Sequence, residues 1–483
     1  MDSHKLTVTD FAAKYFPYGL FLVIAIISLN HCFFLDMIQL SSLHATWYYD
    51  TNFSHFLLPN EIDSGHPPLN GMMLALLWKI FGRSLWVGHA FIAIWTFILI
   101  YQLQKLCENL FSCKTALYVS LVVLMDATLL AQSSLVSPDI ILMASFFAAI
   151  RAIFENKKLL LLFAILFLSL ISMRGMMCTA ALFFFCIYYQ YKIHTKFTFK
   201  EILKIVYPFL PGVLLAFSFL GYHYYKLGWI GYHADMTWAE SFQKIESFRE
   251  FIKNVAIMIW RLIDFGRLIV WLLFIYSVYY LYKNRKANKF TFTPKQLSFI
   301  LLFIFLLLIS SYSFLFHKML SGHRYLLPHY TSAVIVTFIL LDKFFSFKKL
   351  KIIAIVSSLV LLSGNFIKYP EKISTGWDST LSHLPFYDLR KQLFAYMEEN
   401  NIPANDITAG FGLYGNQNTI DLMSPQEMVI KNYDYFEESG YFIYSNISNP
   451  DDTLIDKLKT GDGYILLKKF EKGTVFISLY KKR

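Results

Sequence analysis

Long apolar runs alternate along this chain with short polar loops. The runs cover 16–35, 84–104, 115–133, 138–154, 158–173, 176–192, 204–225, 266–282, 297–316, 325–341 and 351–367. A helix needs about 20 apolar residues to cross a bilayer, fewer where the membrane is thin. Eleven transmembrane helices are therefore expected. A further stretch, 67–81, is shorter and contains Lys79, which predicts an amphipathic helix lying along the membrane surface rather than a span. After residue 368 the pattern changes to that of a small soluble α/β unit. It has a helix over 386–399, strands at 441–444, 464–467 and 474–479, and a short helix at 453–458. The expected division is a membrane part, 1–368, followed by a soluble part, 369–483.

Composition agrees with the pattern. The 483 residues are 56% hydrophobic and 16% charged, against about 25% charged in soluble domains. The net charge of +11 raises the question of nucleic acid, but the basic residues sit in short loops between apolar runs, not in a stripe. The loops 105–114, 151–158, 192–204, 283–295 and 343–351 together hold 18 Lys and Arg residues, whereas 36–65 and 134–137 hold none. That bias places the basic loops in the cytoplasm. With 67–81 on the surface, the N-terminus also lies inside and the 369–483 unit outside. The first apolar run follows Lys5 and Lys14 and lacks a small-residue cleavage site, so it reads as a retained span of a multi-pass cytoplasmic-membrane protein. The five cysteines lie in or beside apolar runs with no metal-binding spacing, which excludes a disulfide framework.

On this topology the ionisable residues that need explaining gather on the outer side. Asp36 stands where the first span leaves the lipid, in Phe33-Phe34-Leu35-Asp36. The loop that follows contains Asp63-Ser64-Gly65-His66-Pro67-Pro68-Leu69. Asp139 opens the fourth span after Pro138, Arg174 precedes Gly175 between the fifth and sixth, and Arg324-Tyr325-Leu326-Leu327-Pro328 begins the tenth. Charges at membrane depth are costly and usually functional. Carboxylates and guanidinium groups on one face suit a reaction that needs a base and an anion clamp. Plainer readings stand beside each. Asp36 is also a solvated helix-end acid, Asp139 a first-turn acid, Arg174 a snorkelling residue and His66 a packing residue of the surface helix. Asp126, inside the third span, reads first as the partner of a neighbouring Tyr or Arg. Arg261 and Arg267 suit a lipid headgroup and a donor phosphate equally.

In their order and sides these motifs resemble the GT-C glycosyltransferases, in particular the bacterial branch of the lipid A aminoarabinose transferases and protein O-mannosyltransferase-like enzymes. The resemblance covers about residues 10–370. It implies an all-α polytopic bundle that transfers a sugar from a polyprenyl-phosphate donor, such as an undecaprenyl-phosphate sugar, to an acceptor hydroxyl outside the cytoplasmic membrane. The acceptor is a lipid, a glycan or a protein, and the product is inverted. Within that scheme Asp36 matches the general base and Asp139 the second catalytic acid. Arg174 stands where relatives carry Lys. Asp63, His66, Arg174, Arg324 and Tyr325 are the expected substrate-binding residues. Gly65-His66-Pro67 replaces an acid-Lys-Pro version of the aminoarabinose branch, which leaves sugar and acceptor open. No dedicated ligand set for a cofactor is visible, and a divalent cation bridging carboxylates and phosphate stays open. The rival reading is a transporter or flippase of lipid-linked sugars. Such proteins bind at mid-membrane on broken helices of repeated halves, and the chain shows neither repeats nor paired interruptions.

Overall fold

The computed structural model of the chain describes residues 7–193, 198–234, 239–287, 289–318, 322–433, 438–461 and 463–483. The first helix, α1 (Val8–Ser28), starts at a reciprocal capping box: Thr7 accepts from the Asp10 amide and Asp10 accepts from the Thr7 amide. A π-helical turn (Ile38–Leu43) and α2 (His44–Asp50) follow. Next comes α3 (Leu69–Phe81), the segment expected on the surface. Its 13 residues are too few to cross a bilayer, Leu74, Ala75 and Trp78 are buried, and Lys79 bonds Asn52 at 2.6 Å.

The long helices are α4 (Leu85–Leu110), α9 (Met173–Ile193), α10 (Phe199–Leu227), α14 (Pro294–Phe316), α15 (Leu327–Leu341) and α16 (Phe347–Ser363). Between them lie α5 (Cys113–Leu124), α6 (Ala127–Ser133), α7 (Pro138–Glu155), α8 (Lys158–Ile171), α11 (Ala239–Phe242), α12 (Phe248–Ile263) and α13 (Leu268–Asn284). Among the described residues seven helices are long and apolar enough to cross a membrane, or eight if the bent pair α5 and α6 is one span. Each of the eleven expected runs overlaps a helix, but α1 ends at Ser28, well before the first run does, α8 and α13 are too short to count as spans, and α7 carries charge near both ends. The third run departs from expectation. It breaks after Leu124 and bends by 71°, because Asp126 leaves the helical ladder to cap α6 through the amides of Thr128 and Leu129. Asp126 is also held by Arg267 at 2.7 and 2.8 Å, which settles the plainer reading of that acid.

The centre of the bundle is α7, buried from Pro138 to Phe154. Its Ala144, Ser145, Ala148, Ala149 and Ala152 let neighbouring helices come close, as small residues do between spans, and α4, α8 and α9 pack on it. At one end Arg151 bonds Gln102 and Glu155, and Asn109 bonds Glu155. Lys343 bonds Gln296 at the same end. These contacts tie the C-terminal halves of α4 and α7 together and the residues just past α15 to the first turn of α14, which Gln296 joins to α4 by donating to the Leu110 carbonyl at 2.9 Å. The opposite end of α7 carries Asp139.

Beyond α16 the chain runs through short 3-10 turns (Trp377–Ser379 and Leu381–His383) into α17 (Pro385–Glu399). The six-stranded sheet comprises β1 (Ile407–Ala409), β2 (Gly415–Asn416), β3 (Val429–Asn432), β4 (Tyr441–Ser445), β5 (Tyr464–Lys472) and β6 (Val475–Lys482), in the order β2-β3-β1-β4-β6-β5. Two helices, α18 (Gln417–Asp421) and α19 (Asp452–Thr460), connect its strands. β1 runs parallel to β3 and β4, and the other pairs are antiparallel. The sequence pattern anticipates α17, α19 and β4 to β6. It passes over β1, β2 and β3, whose two to four residues are too short to show an alternation.

Candidate active site

Five charged residues from distant parts of the chain meet at the Asp139 end of α7. Ser137 caps this helix, its hydroxyl accepting from the Asp139 amide at 3.1 Å, and Pro138 occupies the first turn, where a missing N–H costs nothing. The Asp139 side chain is 2% exposed and uses both oxygens: one on Arg174 at 2.6 Å, the other on Arg324 at 3.2 Å. Arg324 enters from the 3-10 turn that leads into α15. Its guanidinium also pairs with Asp36, and its Nε with Asp378 at 3.0 Å. One arginine thus holds three carboxylates. Tyr325 lies under both cations, its ring 4.3 Å from the Arg174 guanidinium carbon and 4.9 Å from that of Arg324.

Local backbone geometry fixes each group. Leu35 adopts a left-handed conformation (φ 47°), which costs a side-chain-bearing residue roughly 1–2 kcal/mol. It turns the extended segment 31–34 into the helical turn at Asp36, and the Phe33 amide anchors that segment by donating to Ile420 at 2.9 Å. Arg174 sits at the start of α9 beside Gly175. A Cβ on Gly175 would lie 1.9 Å from the Leu168 carbonyl oxygen, so only glycine allows α9 to meet α8 there. Gly376 plays the same part before Asp378, since a Cβ would come within 2.7 Å of His323 Nδ1. Thr128 and Gln132 of α6 bond the backbone of Ser379 and Asp378. The bend between α5 and α6 therefore supplies the shelf on which Asp378 rests.

The expected site residues divide. Asp36, Asp139, Arg174, Arg324 and Tyr325 are brought together. His66 joins them on the wall of a cavity of about 130 Å³, which Asp139, Arg174, Arg324 and Tyr325 also line, with Met177, Ser313 and His329 among its other walls. Burial, with Arg174 nearby, pushes the His66 imidazole down to about 3, so the ring is neutral, and its Nδ1 is buried without a partner. Asp63 is not part of the cluster. It accepts from the Gly65 amide at 2.8 Å and pairs with His223 of α10 at 3.0 Å, which clamps the first outer loop to that helix. Asp378 is the group the sequence conceals. It lies in a stretch that reads as soluble domain, and no periodicity or motif distinguishes it from other surface acids. Burial pushes its carboxyl above the usual range, against the pull of Arg324.

The three carboxylates differ in access. Side-chain exposure is 25% for Asp36, 15% for Asp378 and 2% for Asp139. Asp36 is the most exposed of the three carboxylates. The two arginines differ as well. Arg324 is fully engaged, whereas Asp139 is the only hydrogen-bonding or ion-pairing partner of Arg174 among the described residues. Its remaining N–H groups are free to bind an anion at the cavity wall. Among the described residues no group of three or more His, Cys, Asp or Glu side chains is placed to hold a metal ion. Arg324 takes the central place between the carboxylates.

A second polar group lies next to the first. His323 donates to Asp264 at 2.7 Å, and Tyr369 also bonds Asp264. Burial works to raise the Asp264 carboxyl, but these hydrogen bonds outweigh it and hold the group low. Arg267 lies 3.6 Å over the Tyr330 ring while gripping Asp126. Arg267 is thus an internal brace rather than a surface cation.

This arrangement of helices and outer unit is a known one. Two solved structures of ArnT from Cupriavidus metallidurans share it over nearly the whole length of both chains. One is bound to undecaprenyl phosphate: TM-score 0.51, 10% identity, 98% of this chain and 98% of that one. The other is in the apo state: TM-score 0.52, 10% identity, 96% and 97%. The chain has the fold of these ArnT structures. No family model matches the sequence, and no curated protein matches it either.

Proposed function

We propose that this protein transfers a sugar from a polyprenyl-phosphate donor to an acceptor hydroxyl on the outer face of the cytoplasmic membrane. The observation that carries the reading is the Asp36–Arg324–Asp139–Arg174 chain of ion pairs, whose last three members line a cavity. A donor of this kind pairs a phosphate with a reactive anomeric carbon, and the chain presents a cation with open donors next to an accessible carboxylate. The ArnT structure with undecaprenyl phosphate bound supports a lipid phosphate as the ligand of this fold.

In this reaction Asp36 takes the proton of the acceptor hydroxyl as its oxygen attacks the anomeric carbon. The bond from that carbon to the phosphate oxygen breaks on the opposite side, its electron pair leaves with the phosphate, and the configuration inverts. Arg174, with N–H groups turned to the cavity, stabilises the charge growing on the phosphate. Its planar fork suits phosphate oxygens better than an ammonium does. Asp139 becomes a positioning residue, aligning both guanidinium groups. Arg324 holds Asp36 in place, and a proton arriving on Asp36 weakens that pair, so the product state is easier to release. A transport reading has less support, since these charges lie at helix ends and not at mid-membrane.

The deciding experiment is transfer from a purified lipid-phosphate sugar by the detergent-solubilised protein. Asp36→Asn keeps the shape of the side chain and its contact with Arg324, but cannot take a proton. Turnover should fall by about 10²–10⁴ while donor binding persists. A folded Asp36→Asn protein that transfers at the parent rate removes the mechanism.

A further inference from the structure

The segment that leads from α1 to Asp36 belongs to no helix or strand over residues 31–34, so its conformation is set by what it touches. Much of what it touches is the α/β unit beyond α16. The His31 ring stacks on Tyr387 at 3.8 Å, and the Phe33 amide donates to the Ile420 carbonyl at 2.9 Å. The Phe34 ring lies 4.8 Å from that of His383 and 5.3 Å from that of Phe386. Leu35, in its left-handed conformation, reaches over Gly412, where a Cβ would come within 3.0 Å of the Leu35 Cδ2. Just past Asp36 the Ser42 hydroxyl donates to the Thr419 carbonyl, and Arg83 donates to Asn418 Oδ1 at 2.8 Å. The last carbonyls of a helix have no partner within it. In α18 those of Thr419 and Ile420 accept from the two flanks of Asp36. Arg390 of α17 fixes α18 in turn, donating to Gln417 and Asp421, each at 2.8 Å.

The cavity side of the site is built differently. Among the described residues, those lining the cavity with Asp139, Arg174 and Arg324 all lie between His66 and His329, upstream of the α/β unit. That unit reaches the site at two points, through 31–35 to Asp36 and through Asp378 to Arg324 Nε at 3.0 Å. Both bear on one pair, Asp36 with Arg324. The membrane part adds His89, whose Nε2 donates to the His31 carbonyl at 3.0 Å, and Trp78, edge-on to Phe33. Asp36 is thus supported from both parts of the chain, and the cavity from one.

We propose that the α/β unit is a positioning part of the catalytic apparatus: it fixes Asp36 against a donor that the membrane part binds without it. The inference rests on the transferase reading, in which Asp36 is the base. A general base works within about 2.6–3.2 Å of the atom whose proton it takes, and a misplacement near 1 Å costs on the order of 10²-fold. The support of 31–35 therefore governs turnover, not donor affinity. The test compares full-length variants by single-turnover transfer at saturating donor, by binding of undecaprenyl phosphate, and by amide exchange over residues 30–37. Ser42→Ala removes the hydroxyl bonded to Thr419, and Phe34→Leu removes the ring set against His383 and Phe386. Ile455→Val is the control for lost packing in the same unit, because Ile455 belongs to a separate cluster with Phe442, Tyr444 and Leu458. Ser42→Ala and Phe34→Leu should each slow transfer about tenfold, quicken exchange over 30–37 and bind undecaprenyl phosphate as the parent does. Ile455→Val should transfer at the parent rate. The inference alone is overturned if an active parent is matched by both variants, if they lose binding in step with transfer, or if Ile455→Val is slowed as much. A folded parent that transfers no sugar from any lipid-phosphate donor overturns the transferase reading, and this inference with it.

Discussion

Asp139→Asn and Asp36→Asn are the same chemical change at the middle and at one end of an ion-pair chain, yet they should have opposite signatures. Asp139 is buried and bridges two guanidinium groups at 2.6 and 3.2 Å. The amide offers one acceptor oxygen and turns an N–H towards the other arginine. Arg324 still has Asp36 and Asp378, so its loss is partial. Arg174 loses its one charged partner, and a charge-assisted hydrogen bond is worth about 1.5–3 kcal/mol. Breaking a buried pair from one side reaches about 3–5 kcal/mol, and the alternative partners of Arg324 place the expected cost of Asp139→Asn near 2–3 kcal/mol. Asp36 is a quarter exposed, so its replacement should cost less than about 1 kcal/mol, while transfer collapses. Denaturant unfolding in detergent gives the first quantity and single-turnover transfer the second. A double-mutant cycle of Asp139→Asn with Arg174→Gln should show a coupling of about 1.5–3 kcal/mol. If Asp139→Asn is as stable as the parent but inactive, Asp139 takes part in the chemistry itself, and the assignment of base and positioning residue is reversed.

Gly175→Ala should destabilise the protein by about 1–3 kcal/mol and raise the donor KM, because its Cβ meets the Leu168 carbonyl and the start of α9 must move with Arg174; unaltered donor kinetics would separate Arg174 from the phosphate. His66 is held neutral in the fold at about 3 against an ordinary 6.5, so the unfolded chain binds the extra proton more readily and stability falls as pH drops from 6.5 towards 3. His66→Gln should flatten that part of the melting-temperature profile, and an unchanged slope would show that other groups govern it. With the five native cysteines replaced, Asp50→Cys and Lys457→Cys should react with an impermeant thiol reagent from outside, and Lys286→Cys and Lys349→Cys only after the membrane is opened; outside labelling at 286 or 349 would overturn the orientation.

How far the sequence reveals the site depends on the solvent each residue leaves. Asp36, Asp139, Arg174 and Arg324 stand out because each interrupts or flanks a run that lipid should surround, where a charge is expensive. Asp378 has the same role in the cluster, but a carboxylate among soluble-looking residues carries no such penalty and no signal. Asp63 shows the converse. Its position in a charged outer loop resembles that of a ligand-binding acid, and only the approach of α10 reveals His223 as its partner. Hydropathy likewise cannot see the bend at Asp126, since a straight and a broken helix bury the same apolar residues. What breaks the helix is one side chain bonding its own backbone and a distant arginine.

Asp378 also orders events in the life of the molecule. It lies downstream of every helix long enough to cross the bilayer, so it is the last of the Arg324 partners to leave the ribosome. Until it is laid on α6, a nascent chain has its spans but an arginine with one partner missing. A polypeptide interrupted before residue 378 would carry its spans but lack one of the three carboxylates that Arg324 holds. Assembly of the full set of Arg324 partners thereby waits on completion of synthesis.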